Sequence, residues 1–323
     1  MLIGITYDLR VDYLAKGYSE EETAELDSEE TIKAIEEVLV EEGYEVELVG
    51  GISSLVLSLA AGKKWDLIFN IAEGLTGFSR EARIPALLEA YDIPYTFSDP
   101  LTLTMCLHKG IAKKIVKDSG ILTPKFRVIE DINDILNIDF KPPYFLKPIA
   151  EGTGKGISKT SIVHKEEELL PVVNNLLMRY NQPVLLEAML TGREFTVGIV
   201  GTGKKARVVG VMEILVNKEK STEGYSYFTK QNYSEIVKYQ KVDKDVYDKC
   251  EKLALAAWKA LNGRDGGRID LMYDNEGNAN FIEANPLAGL NPNHSDLPIL
   301  ANLYGFTYKN LIKEILDSAL ERV

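Results

Sequence analysis

The stretch Arg268-Ile-Asp-Leu-Met-Tyr-Asp-Asn-Glu-Gly-Asn-Ala-Asn-Phe-Ile-Glu-Ala-Asn285 reads as two alternating strands joined by a turn at Asn275-Glu276-Gly277. Residues two apart in a strand share a face, so Arg268 and Asp270 point one way, as do Glu283 and Asn285. A two-residue loop at Glu276-Gly277 sets Asp270 opposite Glu283 and Arg268 opposite Asn285. Two carboxylates facing each other across a ladder are destabilising unless positive charge lies between them. A hard cation such as Mg2+ meets that need, while an ordinary solvated sheet face is the alternative reading.

The chain of 323 residues is longer than one ordinary core, and units of ~100 to 150 residues are expected. Hydrophobic residues make up 45% and charged residues 27%, as in globular proteins. No apolar run approaches the ~18 residues of a membrane span, and the N-terminal "MLIGITYDLR" reads as a first strand rather than a signal peptide. Cys106 and Cys250 have no metal or disulfide spacing and fit reduced thiols in a cytoplasmic protein. A net charge of -12 argues against a general nucleic-acid surface, so basic residues that cluster regardless point to a local anion.

Residues 1–100 alternate strand and helix: "LIGITYD", a helix over "SEETIKAIEEVLVEEG", "YEVELVG", "WDLIFNI" and a helix over "SREARIPALLEAYDI". This order implies an open parallel sheet with ligands at the carboxyl ends of its strands. Ser98-Asp99-Pro100 breaks the pattern. Residues 101–187 read as a helix from Leu101 to Ser119 and a small α+β unit, and residues 188–323 as a strand-rich unit bearing the hairpin. The fold class is thus mixed, α/β followed by α+β, in three domains.

"KPIAEGTGKGISK" places Lys147 before Gly152, Gly154 and Gly156. Glycines let backbone N–H groups wrap a phosphate, although a glycine-rich hairpin turn has the same composition. The loop is not a Walker sequence and does not open a helix; its flanking strands suit a lid over a triphosphate. Glu187 at a strand end and Glu194 shortly after, in "LLEAMLTGREF", read from spacing alone as surface glutamates rather than ligands. "EGYSYFTKQNYSEIVKYQ", with Lys230 at its centre, is a long polar aromatic loop of the kind that carries function or is disordered.

The order of Lys109, Lys147 with its glycine loop, Glu187, Glu194, Lys230, Arg268-x-Asp270 and Glu283-x-Asn285 resembles the ATP-grasp fold, and within it the D-alanine-D-alanine ligases. The likeness covers nearly the whole chain through "IPYTFSD", "EFTVGIV", "GGRIDLMYD" and "FIEANPLAGL". It implies an N-terminal open parallel sheet domain and a two-part ATP-grasp unit. It implies ATP held by Lys109, Lys147 and Lys230, with Glu187 at the adenine and Glu194 at the ribose. It also implies two Mg2+ ions, or Mn2+ in their place, on Asp270, Glu283 and Asn285. Arg268 and the Gly289 amide would stabilise an oxyanion, and Ser295 would bind the carboxylate of a second amino acid.

The implied activity is carboxylate-amine ligation of small amino acids through an acylphosphate, in a protein that forms a homodimer. Strict D-alanine-D-alanine ligation, or an ATP-grasp carboxylase or kinase, are the alternatives. The departures fall on the amino-acid side: Gly154 stands where the ligases have a serine, and Gln231 follows Lys230 where they have a tyrosine. "NIAEGLTGFSREARIP" replaces their His-Gly motif. Glu25 is the nearest candidate for the glutamate that meets the first amino group. Glu73 and Arg80 are candidates for the first substrate, with a local ion pair or helix cap as the alternative.

Overall fold

Strand β1 (Leu2–Thr6) is buried from Ile3 onward and β3 (Leu67–Asn70) along its whole length, the pattern of strands covered on both faces. The computed structural model describes residues 1–216 and 237–323. β1 pairs in parallel with β3 and with the edge strand β2 (Glu45–Leu48), giving the order β2-β1-β3. Short α1 (Arg10–Ala15), then α2 (Glu29–Glu41), α3 (Ile52–Ala60) and α4 (Arg83–Ala90) make the connections. Ser28 caps α2 by accepting from the Thr31 amide, as the serine start in the sequence predicts.

Two helices depart from their sequence reading. The helix expected over 79–93 begins only at Arg83, because residues 79–82 form a turn that keeps Arg80 and Glu81 out of it. The helix expected over 101–119 is two, α5 (Pro100–Leu107) and α6 (Lys109–Asp118). His108 breaks it with a ψ of 87°, and its Nδ1 accepts from the Ile111 amide at 3.2 Å to cap α6. The break puts Lys109 in the first turn of α6, where its side chain turns inward.

The middle of the chain forms a four-stranded antiparallel sheet from β4 (Phe126–Ile129), β5 (Tyr144–Pro148), β6 (Ile162–Val163) and β7 (Val184–Ala188), in the order β4-β7-β5-β6. Helix α7 (Leu169–Tyr180) covers it through Leu169, Val173 and Leu176. The glycine loop connects β5 to β6, as the flanking strands in the sequence imply.

The third sheet is antiparallel, ordered β10-β9-β8-β11-β12, from β8 (Glu194–Val200), β9 (Arg207–Val216), β10 (Val237–Lys241), β11 (Gly266–Tyr273) and β12 (Ala279–Asn285). Helix α8 (Lys244–Ala260) lays Cys250, Ala254 and Trp258 on it, and α5 and α6 add Cys106, Ala112 and Val116 to the same core. Helices α9 (Asp296–Leu303) and α10 (Tyr308–Leu320) pack instead with β1, β3 and α2, so the chain's end shares a core with its beginning. Cys106 and Cys250 are buried free thiols. No helix of the described residues is long and apolar enough to cross a membrane.

The β11-β12 hairpin reaches its expected register by an unexpected route. Its loop is not the two-residue type: the Asp274 carbonyl accepts from the Gly277 amide at 3.1 Å, Asp274 pairs with Asn278, and Gly277 takes a φ of 80°. The longer loop shifts the ladder by one, so Tyr273 faces Ala279. A bulge at Ile282 shifts it back, and Asp270 faces Glu283 and Arg268 faces Asn285.

Asp265, immediately before β11, is fully buried and ties three parts of the chain together. Its carboxylate accepts from the Phe97 amide at 2.8 Å, the Ser318 hydroxyl at 2.9 Å and Thr202 at 3.0 Å, and it pairs with Arg322. Asp265→Ala strands these donors, and the expected cost is about 3 to 5 kcal/mol, read as a lowered urea midpoint.

Candidate active site

The hairpin face carries its charges in compensated pairs. One Arg268 guanidinium nitrogen lies 2.7 and 2.8 Å from the two oxygens of Asp270 and 3.4 Å from Asp296. Thr196 on β8 and Asn285 on β12 also donate to Asp270, at 2.8 and 3.1 Å. Across the ladder, Glu283 faces the Lys147 ammonium at 3.1 Å and that of Lys109 at 3.8 Å. The like-charge conflict read from the sequence is thus met by one arginine and two lysines.

Lys147 sits at the end of β5 and bridges two sheets, reaching Glu283 on β12 and Glu187 on β7 at 3.6 Å. Burial works against its ammonium, but Glu283 and Glu187 outweigh it and hold the group above the ordinary lysine range. For Lys109 burial wins, with Lys147 as a like charge nearby, and its proton is held less tightly than usual despite Glu283. The two lysines that converge on one carboxylate therefore differ in how firmly they keep their charge.

Two cavities meet at this face. The smaller, about 230 Å³, lies between the central and C-terminal sheets and is walled by Phe145, Ile162, Leu190, Met272 and the bulged Ile282, with Lys147, Glu187 and Glu194 among its polar groups. The larger, about 440 Å³, runs from the hairpin toward the carboxyl ends of β1 and β3, past Glu25, Glu73, Glu81 and Lys109. Gly289, Asn291, His294 and Ser295 line its other side. Arg268 and Glu283 belong to both cavities.

The glycine loop lies against Glu25. Gly154 and Gly156 have φ of 73° and 76°, and a Cβ on Gly152 would fall 2.1 Å from a Glu25 oxygen. Glu25 is paired with Arg80 at 3.0 Å and with Lys155 at 3.1 Å. Although burial opposes it, these two cations hold the carboxyl below the ordinary glutamate range. Arg80 is not a cavity wall: it is buried, donating to Glu25 and to the Ala150 carbonyl at 2.8 Å. The expectation that it faces a substrate is therefore replaced by a role as support for Glu25.

Ser295 caps no backbone amide of α9; its hydroxyl instead accepts from the Asn291 amide at 3.0 Å beside Gly289. The metal-ligand candidates Asp270, Glu283 and Asn285 share one face, while Lys230 lies outside the described residues.

Four site residues escaped the sequence reading. Lys113 is fully buried, 2.5 Å from Glu187, and donates to Thr123 at 2.9 Å. It lies one helical turn after Lys109, so i,i+4 spacing was the available signal. Lys155 and Asn291 were in view as parts of motifs, but their partners Glu25 and Glu30 lie far away in the chain, and Glu151 sits four residues before Lys155 in the same loop. Glu81 was hidden inside the expected helix.

A family model described as "D-ala D-ala ligase C-terminus" matches residues 115–317. The D-alanine--D-alanine ligase of Aquifex aeolicus (strain VF5) is 32% identical over 309 residues, spanning 95% of this chain and 100% of that protein. Among solved structures, a D-alanine--D-alanine ligase from Bacillus anthracis complexed with ATP superposes with a TM-score of 0.74 at 22% identity, covering 100% of this chain and 98% of that one. The VanG D-Ala:D-Ser ligase from Enterococcus faecalis gives 0.76 at 18% identity, covering 98% of this chain and 99% of that one. These two share the fold. With the model spanning more than half the chain and the Aquifex relative matched along its whole length, the chain belongs to the D-alanine-D-alanine ligase family and is an ATP-dependent, ADP-forming ATP-grasp ligase that makes a carbon-nitrogen bond.

Proposed function

We propose that the chain joins the carboxylate of one amino acid to the amine of a second through an acylphosphate. The observation that carries this reading is that Arg268 and Glu283 line both cavities, so a nucleotide in one and amino acids in the other meet at the hairpin face. The apolar walls of the smaller cavity suit a base. Glu194 at the start of β8 would take the ribose, and Lys147 and Lys109 the phosphates. The Glu187 carboxylate, held by Lys113 and Lys147, anchors both lysines and would face the adenine.

Two Mg2+ ions, or Mn2+, fit Asp270, Glu283 and Asn285. Among the described residues no three His, Cys, Asp or Glu side chains converge to hold a metal unaided, which suits a site that phosphate oxygens complete. When bound, the ions neutralise charge on the transferring phosphoryl group. The chain's own part is positioning. The substrate carboxylate attacks the γ-phosphorus, ADP leaves, and the amine of the second substrate attacks the acyl carbon, releasing phosphate. Arg268, fixed by Asp270 and Asp296, and the Gly289 amide would stabilise the oxyanion of that step. Glu25 would face the first amino group and Ser295 the second carboxylate.

Strict use of D-alanine is the second reading, supported by the full-length match to a D-alanine--D-alanine ligase. Against it stand Gly154 and Gln231, where the family resemblance implies a serine and a tyrosine. The reading also includes a cytoplasmic location, where ATP is available. The homodimer is supported by exposed apolar side chains at Leu48 on β2 and at Val56 and Leu57 on α3, and sedimentation velocity reads that state directly.

ADP release from Mg2+-ATP with D- and L-amino acids, singly and in pairs, tests the reaction, with mass detection of an amide as the expected result. ADP release without any amide would favour a kinase where a phosphorylated product forms, or a carboxylase where free phosphate and a carboxylated product form. Asp270→Asn and Glu283→Gln should each abolish turnover while the circular dichroism spectrum is retained. Arg268→Ala is expected to lower kcat by ~100-fold or more with ATP binding nearly intact; an equal loss of ATP affinity would assign Arg268 to the nucleotide. Lys113→Met leaves Glu187 and Lys147 misaligned, and a raised KM for ATP with an unchanged KM for amino acids is expected.

A further inference from the structure

The larger cavity is also lined by Asp27, Glu73 and Glu81. They come from two places at the carboxyl ends of the parallel strands: Asp27 from the loop before α2, Glu73 and Glu81 from the segment between β3 and α4. Glu81 is only 8% exposed, and neither it nor Glu73 has a hydrogen-bond or ion-pair partner among the described residues. A buried carboxylate without a partner is costly unless it stays protonated or meets a cation.

The cations nearby are already engaged. Arg80 and Lys155 hold Glu25, Lys155 also holds Glu151, and Arg10 pairs with Glu20. Lys109 donates to the Glu151 carbonyl at 2.6 Å and lies beside Glu283. The acids accordingly hold their protons tightly. Burial, with Asp8 adding a like charge, pushes Asp27 up to about 8. Burial pushes Glu81 up to about 7 even with Arg80 beside it. Burial and then Glu81 raise Glu73. Among the described residues no three of these carboxylates close on a single point as metal ligands do.

We propose that Asp27, Glu73 and Glu81 form a subsite for an ammonium group on the side chain of an amino-acid substrate, making a diamino acid the preferred substrate class. The inference rests on the ligase reading for its placement in catalysis. It is separate from the α-amino group, which falls to Glu25, already charged and flanked by Arg80 and Lys155. A neutral small side chain would leave Glu81 and Glu73 without a partner, whereas a side-chain ammonium supplies one.

Calorimetric titration of the protein with Mg2+ and a non-hydrolysable ATP analogue tests it. The probes are D- and L-forms of 2,3-diaminopropionate, 2,4-diaminobutyrate, ornithine and lysine, each against the neutral amino acid with methyl in place of the terminal ammonium. At least one diamino acid should bind tenfold or more tighter than its neutral counterpart. Glu81→Gln and Glu73→Gln should each erase that preference while leaving the affinity for the ATP analogue unchanged. Equal binding of charged and neutral probes, or a preference that survives both substitutions, overturns the subsite. ADP release separates the two levels: turnover with neutral amino acids only sinks the subsite and leaves the ligase reading standing. Glu81-dependent binding of a diamino acid with no ADP from any pair supports the subsite and sinks the ligation reading instead.

Discussion

Lys147 places one ammonium between Glu187 of the central sheet and Glu283 of the C-terminal sheet, and the site depends on that bridge. Charges taken out of water are tolerated only when each is matched, and breaking one such buried pair typically costs several kcal/mol. Lys113 on the far side of Glu187 and Lys109 beside Glu283 extend the match. The alternation of lysine and glutamate therefore sets the spacing of two sheets that belong to separate parts of the chain. The smaller cavity is the gap this spacing leaves, and its cations are already ordered by the protein's own carboxylates.

The hairpin converts that spacing into reactivity. Asp270 and Glu283 lie side by side because a three-residue loop and a one-residue bulge displace the ladder in opposite senses. Had only one been present, Glu283 and Asn285 would have changed faces, since a one-residue slip turns every side chain over. The bulge has a second effect, turning Ile282 into the wall of the smaller cavity while Phe281 stays in the core. One backbone irregularity thus serves both the charge cluster and the apolar wall beside it.

Charge is graded along the two joined cavities. Lys109, Lys147 and Arg268 gather at the hairpin, each beside a carboxylate of β11 or β12. Asp27, Glu73 and Glu81 line the larger cavity beside the N-terminal sheet, where cations are already paired with Glu25, Glu151 and Glu20.

The sequence by itself determined the alternation of strand and helix at the N-terminus, the three-sheet plan, the shared face of Arg268 and Asp270, and the order of motifs that carries the family resemblance. Those features are local or sequential, expressed by two-residue and helical periodicity and by glycine and proline positions. Only the tertiary structure decided that His108 splits a helix and that residues 79–82 leave one. The same holds for Arg80 supporting Glu25 rather than a ligand, and for Lys113 closing on Glu187. The hairpin register was legible although its derivation was not, because two irregularities of opposite sense cancel. What periodicity cannot express is the pairing of charges distant in sequence: whether a glutamate is a solvated surface group, a buried partner or an unmatched acid depends on what other segments bring against it, and that is set by burial.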